Sequence, residues 1–593
     1  MNDKQTCFDD KLIIANASGF LGDRFSAARE MVRGGPIDIL TGDYLAELTM
    51  AILFKKVLKS PDGGYAGTFL RQMEEIMGEC LDKKIRIVSN AGGLNPKSLA
   101  EKLQELADRL GLKPRIAYIE GDNLMGRIED LQQQGESFQH LDKGISLKEA
   151  GAQAITANAY LGGWGITEAL EQGADIVVGG RLADAVLVSG PAAWKFGWQK
   201  TDWDRLAGAV TAGHIIECGA QATGGNYSFI HEIPSFEKVG FPFAEIYKDG
   251  SFVISKHPGT GGRVSVGTVT AQLLYEVREP RYLTPDVSAR FDTIRIEQEA
   301  PDRVRISDVK GEPPPKTTKV CINTMGGHKN SMTFVLTGLE IEEKARIVEE
   351  TLFSDLGGKE QFDKVDVQLI RSDKEDPASN EEAHAHLKIS VLDANPDKVG
   401  RPFSSAAVEL ALANIPGFTM TAPPGNASPT IFHWPTLVSN DFIHQTITLG
   451  EQQFTVEPTM AEPMAVVPEP PAMDIPPVPG DKMVKLPLGK AFAARSGDKG
   501  GNANLGVWGQ SAEAFAFLKA FLSVEQLKTL LPDMQPYDIE RHEFPNLLAV
   551  NFYIKGVLGE GVAASVRNDP QAKSLGEYLR AKLIDLPESI RVY

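Results

Sequence analysis

Cysteine is scarce in this chain. Its 593 residues hold four, Cys7, Cys80, Cys218 and Cys321, widely scattered with no CxxC and no Cys/His ligand spacing. That excludes a disulfide framework and a structural zinc site of the usual pattern, and it suits a reducing cytosol. Basic charge is also short. With 61 Lys and Arg against 79 Asp and Glu, the formal net charge is −18, which argues against nucleic acid as a partner. No apolar run reaches the roughly 18 residues of a membrane span. The opening MNDKQTCFDDK is polar and lacks the apolar stretch of a secretory leader. A cytoplasmic protein without membrane contact is expected. Three motifs are missing as well: the dinucleotide GxGxxG, the Walker GxxxxGK[ST] and the GxSxG elbow of serine hydrolases.

What the chain has is a recurring pattern. Short apolar runs end in Gly/Asn/Asp clusters: LIIANASGFLGDR from Leu12, IDILTGDY from Ile37, IRIVSNAGGLNP from Ile85, IAYIEGDN from Ile116, AITANAYLGGWG from Ala154, ADIVVGGRLADA from Ala174 and HIIECGAQATGGN from His214. Uninterrupted Ile/Val/Leu/Ala runs read as parallel strands buried on both faces. In open parallel α/β sheets, ligands bind outside the carboxyl ends of the strands. The clusters stand at those ends, so one large polar site is expected there. Gly19 and Gly22 in ASGFLGDR suit a phosphate-binding turn, or simply a tight strand–helix turn.

The length implies three or four domains. Residues 1–285 alternate strand and helix signals, with 97–110 (KSLAEKLQELADRL) the clearest helix and Gly111 its natural C-cap. This region reads as a mainly parallel α/β domain that carries the site, an open doubly wound sheet being favoured over a barrel. From 286 to 455 strands come in neighbouring pairs, as in an α+β domain. Eight prolines between 457 and 479 mark 456–483 as a linker. Residues 484–593 read as a small α+β domain.

The candidate site residues follow from the strand ends. Asp43 and Asp122 suit a general base, a metal ligand or a hydroxyl acceptor, and equally an N-cap. Asn90 stands with Gly92 and Gly93, a pair that can admit an anion to backbone amides or merely form a loop. Asn158 is a further binding candidate. Arg181 and Asp184, three apart in GGRLADA, suit a carboxylate anchor and a group that orients it or acts on substrate; the plain alternative is an internal Arg–Asp staple. Glu217 suits proton transfer. Cys218 suits a nucleophile or an inert apolar filler. Gly224, Gly225 and Asn226 extend the binding set. His257 suits acid–base work near neutral pH, and Arg263 substrate binding. RSGDKGGNAN, with Arg495, Asp498 and Lys499, either reaches over a neighbouring site or is a polar turn, and NTMGGHKN repeats the theme with His328 and Lys329. Asp43, Asp122, Asp184, Glu217 and His231 can be assembled into an oxygen-rich site for a divalent metal, although their spacing does not demand one.

NAGGLNP, EGDN, ADIVVGGRLADA, ECGAQATGGN and HPGTGGRVSVGTV together resemble the acyclic terpene utilisation family, AtuA-type, over about 10–450. KAFAARSGDKGGNANLGVW resembles the small ferredoxin-fold-like domain that often follows it, over about 484–590. The resemblance implies a role in breaking down citronellol- and geraniol-type terpenes through branched acyl-CoA thioesters, with a lyase step on 3-hydroxy-3-isohexenylglutaryl-CoA. It implies no catalytic residue. The expectation is a homo-oligomeric catabolic enzyme, a lyase or hydro-lyase acting on a branched 3-hydroxyacyl-CoA or hydroxy-carboxylate, with the CoA moiety entering as part of the substrate. The alternatives are a metal-assisted hydratase or isomerase and a non-catalytic, ligand-binding subunit of a complex.

Overall fold

The structure, a computed structural model, describes residues 11–459 and 473–592. Part of the proline-rich stretch expected as a linker, 460–472, lies outside the described residues. Five of the apolar runs form parallel strands in the order Lys11–Asn16, Ile39–Gly42, Arg86–Ser89, Ile176–Gly179 and Ile116–Glu120. Every residue of Ile39–Gly42 and Ile176–Gly179 is buried, because helices cover both faces. The helix Pro96–Leu110 is punctuated as its sequence dictates. The Asn95 side chain accepts from the Ser98 amide, Pro96 starts the first turn, and Gly111 closes it in the left-handed region at φ 70°.

The sheet does not stop at the parallel strands. Pro242–Tyr247 and Phe252–Lys256, then Arg303–Ser307 and Arg295–Ala300, extend it antiparallel beyond Lys11–Asn16. Gln445–Leu449 and Gln452–Val456 extend it antiparallel beyond Ile116–Glu120. The eleven-stranded sheet is therefore mixed, which corrects the expectation of a doubly wound parallel sheet. Hairpins need only a short turn, so they can append to either edge of a parallel core without a helical crossover.

Two of the seven apolar runs are also placed differently. Ala154–Ala159 is a strand, but it pairs with the long strand Thr317–Thr337 outside the large sheet. The run from His214 is not a strand at all. It ends the helix Trp203–Ile216, buried continuously from Leu206 to Ile216. A helix buried all round shows no amphipathic period, so its sequence reads like a buried strand.

The described residues divide into two compact units. The larger comprises those up to Asn323, those between His433 and Val562 and those from Gln571. The smaller comprises Thr324–Phe432 and Ala563–Pro570. In the smaller unit the strands Lys364–Ile370 and His384–Asp393 and the helices Ile341–Asp355 and Arg401–Glu409 enclose Phe334, Phe353, Ile389 and Phe403. Within the larger unit, the C-terminal region adds an antiparallel sheet in the order Phe492–Lys499, Asn502–Gly509, Ala549–Ile554 and Ile539–Phe544. Its hairpin is bolted to the region before the large sheet's outer strands. Asn504 donates to the Leu274 carbonyl at 2.6 Å and accepts from the Glu276 amide at 2.9 Å, and Ser228 donates to the Ala494 carbonyl at 2.7 Å.

Candidate functional site

Asp43 follows the strand Ile39–Gly42, and Asn90 follows Arg86–Ser89. Asn90 donates to Asp43 Oδ1 at 2.6 Å and accepts from the Tyr44 amide at 2.9 Å. The Leu45 amide donates to the same Asp43 oxygen at 3.0 Å. Two strand ends thus fix one carboxylate. A third, Ile116–Glu120, presents Asp122, which accepts from the Arg181 amide at 2.9 Å and from Asn158 at 2.7 Å. That holds the start of the GGRLADA turn, where Arg181 Nη1 lies 2.6 Å from Asp184 Oδ1. Glu217 arrives from another direction, just past the helix Trp203–Ile216. Asn16, at the end of the first strand, donates to the Ile216 and Glu217 carbonyls at 2.6 and 2.9 Å.

These tethers bring three acids together. Asp43, Asp184 and Glu217 each offer an oxygen within 4.8 Å of the other two, a spacing that one cation could bridge. Burial, then the charges of Asp184 and of Asp43, pushes the Glu217 carboxyl well up. Burial and the Asp184 charge raise Asp43 as well, against the pull of Arg181 and Asn90. Glu217 Oε2 is buried and has no hydrogen-bond partner among the described residues. His214 Nδ1 lies 3.4 Å from Glu217 Oε1, and burial pushes that imidazole down to about 3, keeping it neutral.

A second layer faces the acids. The Arg181 guanidinium sits 4.1 Å above the Tyr160 ring, with Lys319 Nζ 5.0 Å from the same ring. Tyr160 donates to Glu47 Oε1 at 3.0 Å, and Lys319 Nζ pairs with that oxygen at 2.8 Å. Burial alone would raise Glu47, but Lys319 and Arg181 outweigh it and hold the carboxyl well below its usual range. Behind this pair, Cys321 Sγ lies 3.6 Å from His433 Nδ1. Burial pushes the thiol up to about 12 and the imidazole down to about 4, so both stay neutral.

The RSGDKGGNAN hairpin closes the arrangement. Lys499 acts electrostatically on Glu47, Glu217 and Glu276, and burial together with Lys319 pushes its ammonium down. Asp498 is raised to about 7 by burial and by Glu276. Arg495 hydrogen-bonds Gln221, and its guanidinium lies 4.1 Å over the Tyr275 ring.

The model of the acyclic terpene utilisation family protein AtuA matches residues 12–449, and that of the AtuA ferredoxin-like domain matches 486–585. The chain belongs to the acyclic terpene utilisation family. That membership suggests involvement in acyclic terpene utilisation. A comparison with curated proteins returned no match.

In this family member the remaining sequence candidates fall outside the carboxylate cluster. His257 Nε2 lies 3.0 Å from the Met31 carbonyl, and its ring packs on Phe243 at 5.2 Å. A β-carbon on Gly34 or Gly35 would strike that ring, so the imidazole wedges a helix end against the sheet. Arg263 is exposed and donates to the Glu232 carbonyl at 3.1 Å. The Gly224 and Gly225 amides are spent on the Gln221 and Ala220 carbonyls, and Asn226 is exposed. Gly93, at φ 55°, gives its amide to the Asn90 carbonyl, and a β-carbon on Gly92 would come within 2.5 Å of the Gly179 carbonyl. These glycines serve close packing and tight turns. Cys218 borders the cluster, but burial and Glu217 push its thiol well up, which removes the thiolate a nucleophile requires.

Sequence reasoning did not single out Asn16, Glu47, Tyr160, His214, Glu276, Lys319 or His433. Asn16 carried a readable signal, a buried amide that ends an apolar strand. Lys319 and His433 carried none, since each is a single polar residue in a strand brought in by long-range pairing.

Proposed function

We propose that this chain is a catabolic enzyme of the lyase or hydro-lyase class, acting on a branched 3-hydroxyacyl-CoA or a related hydroxy-carboxylate. The observation that carries this reading is the meeting of Asp43, Asp184 and Glu217 within 4.8 Å of one another, beside Arg181, at the carboxyl ends of parallel strands. A lyase or hydro-lyase must engage a hydroxyl, move a proton and stabilise the charge that develops as a carbon–carbon or carbon–oxygen bond breaks.

The cluster supplies those needs on one side. Asp184 is the acid with access to solvent, 23% exposed beside an Arg181 guanidinium that is 2% exposed. It is suited to receive a substrate hydroxyl. Lys499, its ammonium pushed down by burial and by Lys319, is suited to exchange a proton with the substrate. Arg181, Lys319 and Lys499 supply positive charge for a carboxylate or thioester carbonyl. Closely set groups whose proton affinities are driven in opposite directions are what acid–base chemistry requires.

The test is turnover. The full chain is incubated with a panel of branched 3-hydroxyacyl-CoA esters and the free hydroxy acids, and products are separated by chromatography. Conversion of at least one compound, reduced at least about a hundredfold in Lys499→Met, supports the reading. No conversion across the panel, or a Lys499→Met variant as active as the parent, contradicts it.

A further inference from the structure

We propose that Asp43, Asp184 and Glu217 bind one divalent cation of the hard, oxygen-preferring class. The geometry comes first. Oxygens that share a cation sit about 2.0–2.6 Å from it, so their mutual separations cannot exceed about 4–5 Å. The three carboxylates each offer one oxygen, and all three lie within 4.8 Å of one another.

An unsatisfied atom comes second. Glu217 is 6% exposed, and its Oε2 has no partner among the described residues. A buried carboxylate oxygen without a donor is costly, and a cation at the centre of the three acids supplies what is missing.

Charge comes third. Six carboxyls interact across this interior: Asp43, Glu47, Asp184, Glu217, Glu276 and Asp498. Five cations answer them: Arg181, Lys319, Arg495, Lys499 and Lys573. The acids outnumber the cations, an imbalance that a bound cation relieves.

The supports already resemble those of a ligating shell. Asn90 fixes one oxygen of Asp43 and Arg181 fixes one of Asp184, as outer groups do when they orient metal-bound carboxylates. An ion held there would leave positions open for the oxygens of a hydroxy acid. That last step rests on the proposed function; the binding itself does not.

The test reads binding alone. The full chain is freed of metal with EDTA, titrated with MnCl2 and followed by electron paramagnetic resonance, with MgCl2 as competitor. One Mn2+ per chain is expected, displaced by Mg2+. Asp184→Asn and Glu217→Gln should each weaken binding at least about tenfold, while Glu105→Gln, on an exposed helix face, should leave it unchanged. Asp43→Asn replaces either variant if that one fails to fold. No Mn2+ bound at millimolar concentration, or variants that bind as the parent does, overturns the site. Turnover that persists in EDTA alongside absent Mn2+ binding removes the ion and leaves the substrate class standing. Mn2+ binding without turnover of any hydroxy acid does the reverse.

Discussion

Arg181 and Asp184 meet three residues apart with Nη1 2.6 Å from Oδ1, and their environments are unequal. The guanidinium side chain is 2% exposed and the carboxylate 23%. The cation is committed to the interior, while the acid reaches solvent. The pair therefore does more than staple a turn. It holds an acid at the boundary between protein and solvent.

The inequality predicts an asymmetric response to mutation. Asp184→Ala leaves a buried guanidinium short of its closest partner and should cost about 3 kcal/mol or more. Arg181→Met removes the buried charge and leaves an acid that reaches water, so it should cost less. Urea unfolding with unchanged m-values measures both. A larger loss for Arg181→Met than for Asp184→Ala would reverse the assignment.

Asn90 is a positioning residue. Asn90→Ala deletes the donor to Asp43 and orphans the Tyr44 amide, which should cost about 1–3 kcal/mol. Turnover should fall with it, because Asp43 loses its 2.6 Å tether. Asn90→Asp keeps the acceptor for Tyr44 but sets a second acid against Asp43, so it should restore little activity. Denaturation midpoints and turnover of the same preparations check this.

The thiols predict a negative result. Cys218 is pushed well up by burial and Glu217, and Cys321 to about 12 by burial. Neither is a thiolate near neutral pH. Cys218→Ser should keep turnover within about threefold of the parent, and the folded chain should resist a thiol reagent at both positions, as peptide mapping would show. Loss of turnover in a well-folded Cys218→Ser variant would restore the nucleophile.

His433 predicts a pH dependence of stability. Its folded value is about 4, against 6.5 for the free side chain, because burial disfavours the imidazolium. Between those values the unfolded chain binds a proton that the folded chain refuses. Stability is therefore full above pH 6.5 and falls as pH drops toward 4, by about 3 kcal/mol at most. His433→Gln should flatten that part of the stability–pH curve. An unchanged slope in His433→Gln would contradict this origin.

The sequence made the parallel strands readable because residues such as Ile176–Gly179 are buried on both faces and carry no alternation. It misassigned His214–Glu217 for the same reason: a helix without an exposed face looks like a strand in sequence. The flanks at 242–256 and 445–456 join the parallel core by pairing across more than two hundred residues, and 295–307 joins 252–256 across about fifty, which no local pattern encodes. The site divided along similar lines. Asp43, Asn90, Asp122 and Arg181 stand beside glycine punctuation at strand ends and were legible. Glu47, Tyr160 and Lys319 lie inside a helix, just past one strand and within another, and only the fold brings them to one ring. The glycine pairs were read as anion nests or plain loops, and the amides of Gly93, Gly224 and Gly225 are taken by their own turns.

The most direct measurement is turnover of the active compound from the hydroxyacyl-CoA panel by Asp184→Asn and Glu217→Gln, each confirmed folded by thermal unfolding. Both variants should fall at least about a hundredfold below the parent. Folded variants that match the parent rate would show that the carboxylate cluster is not the reacting centre.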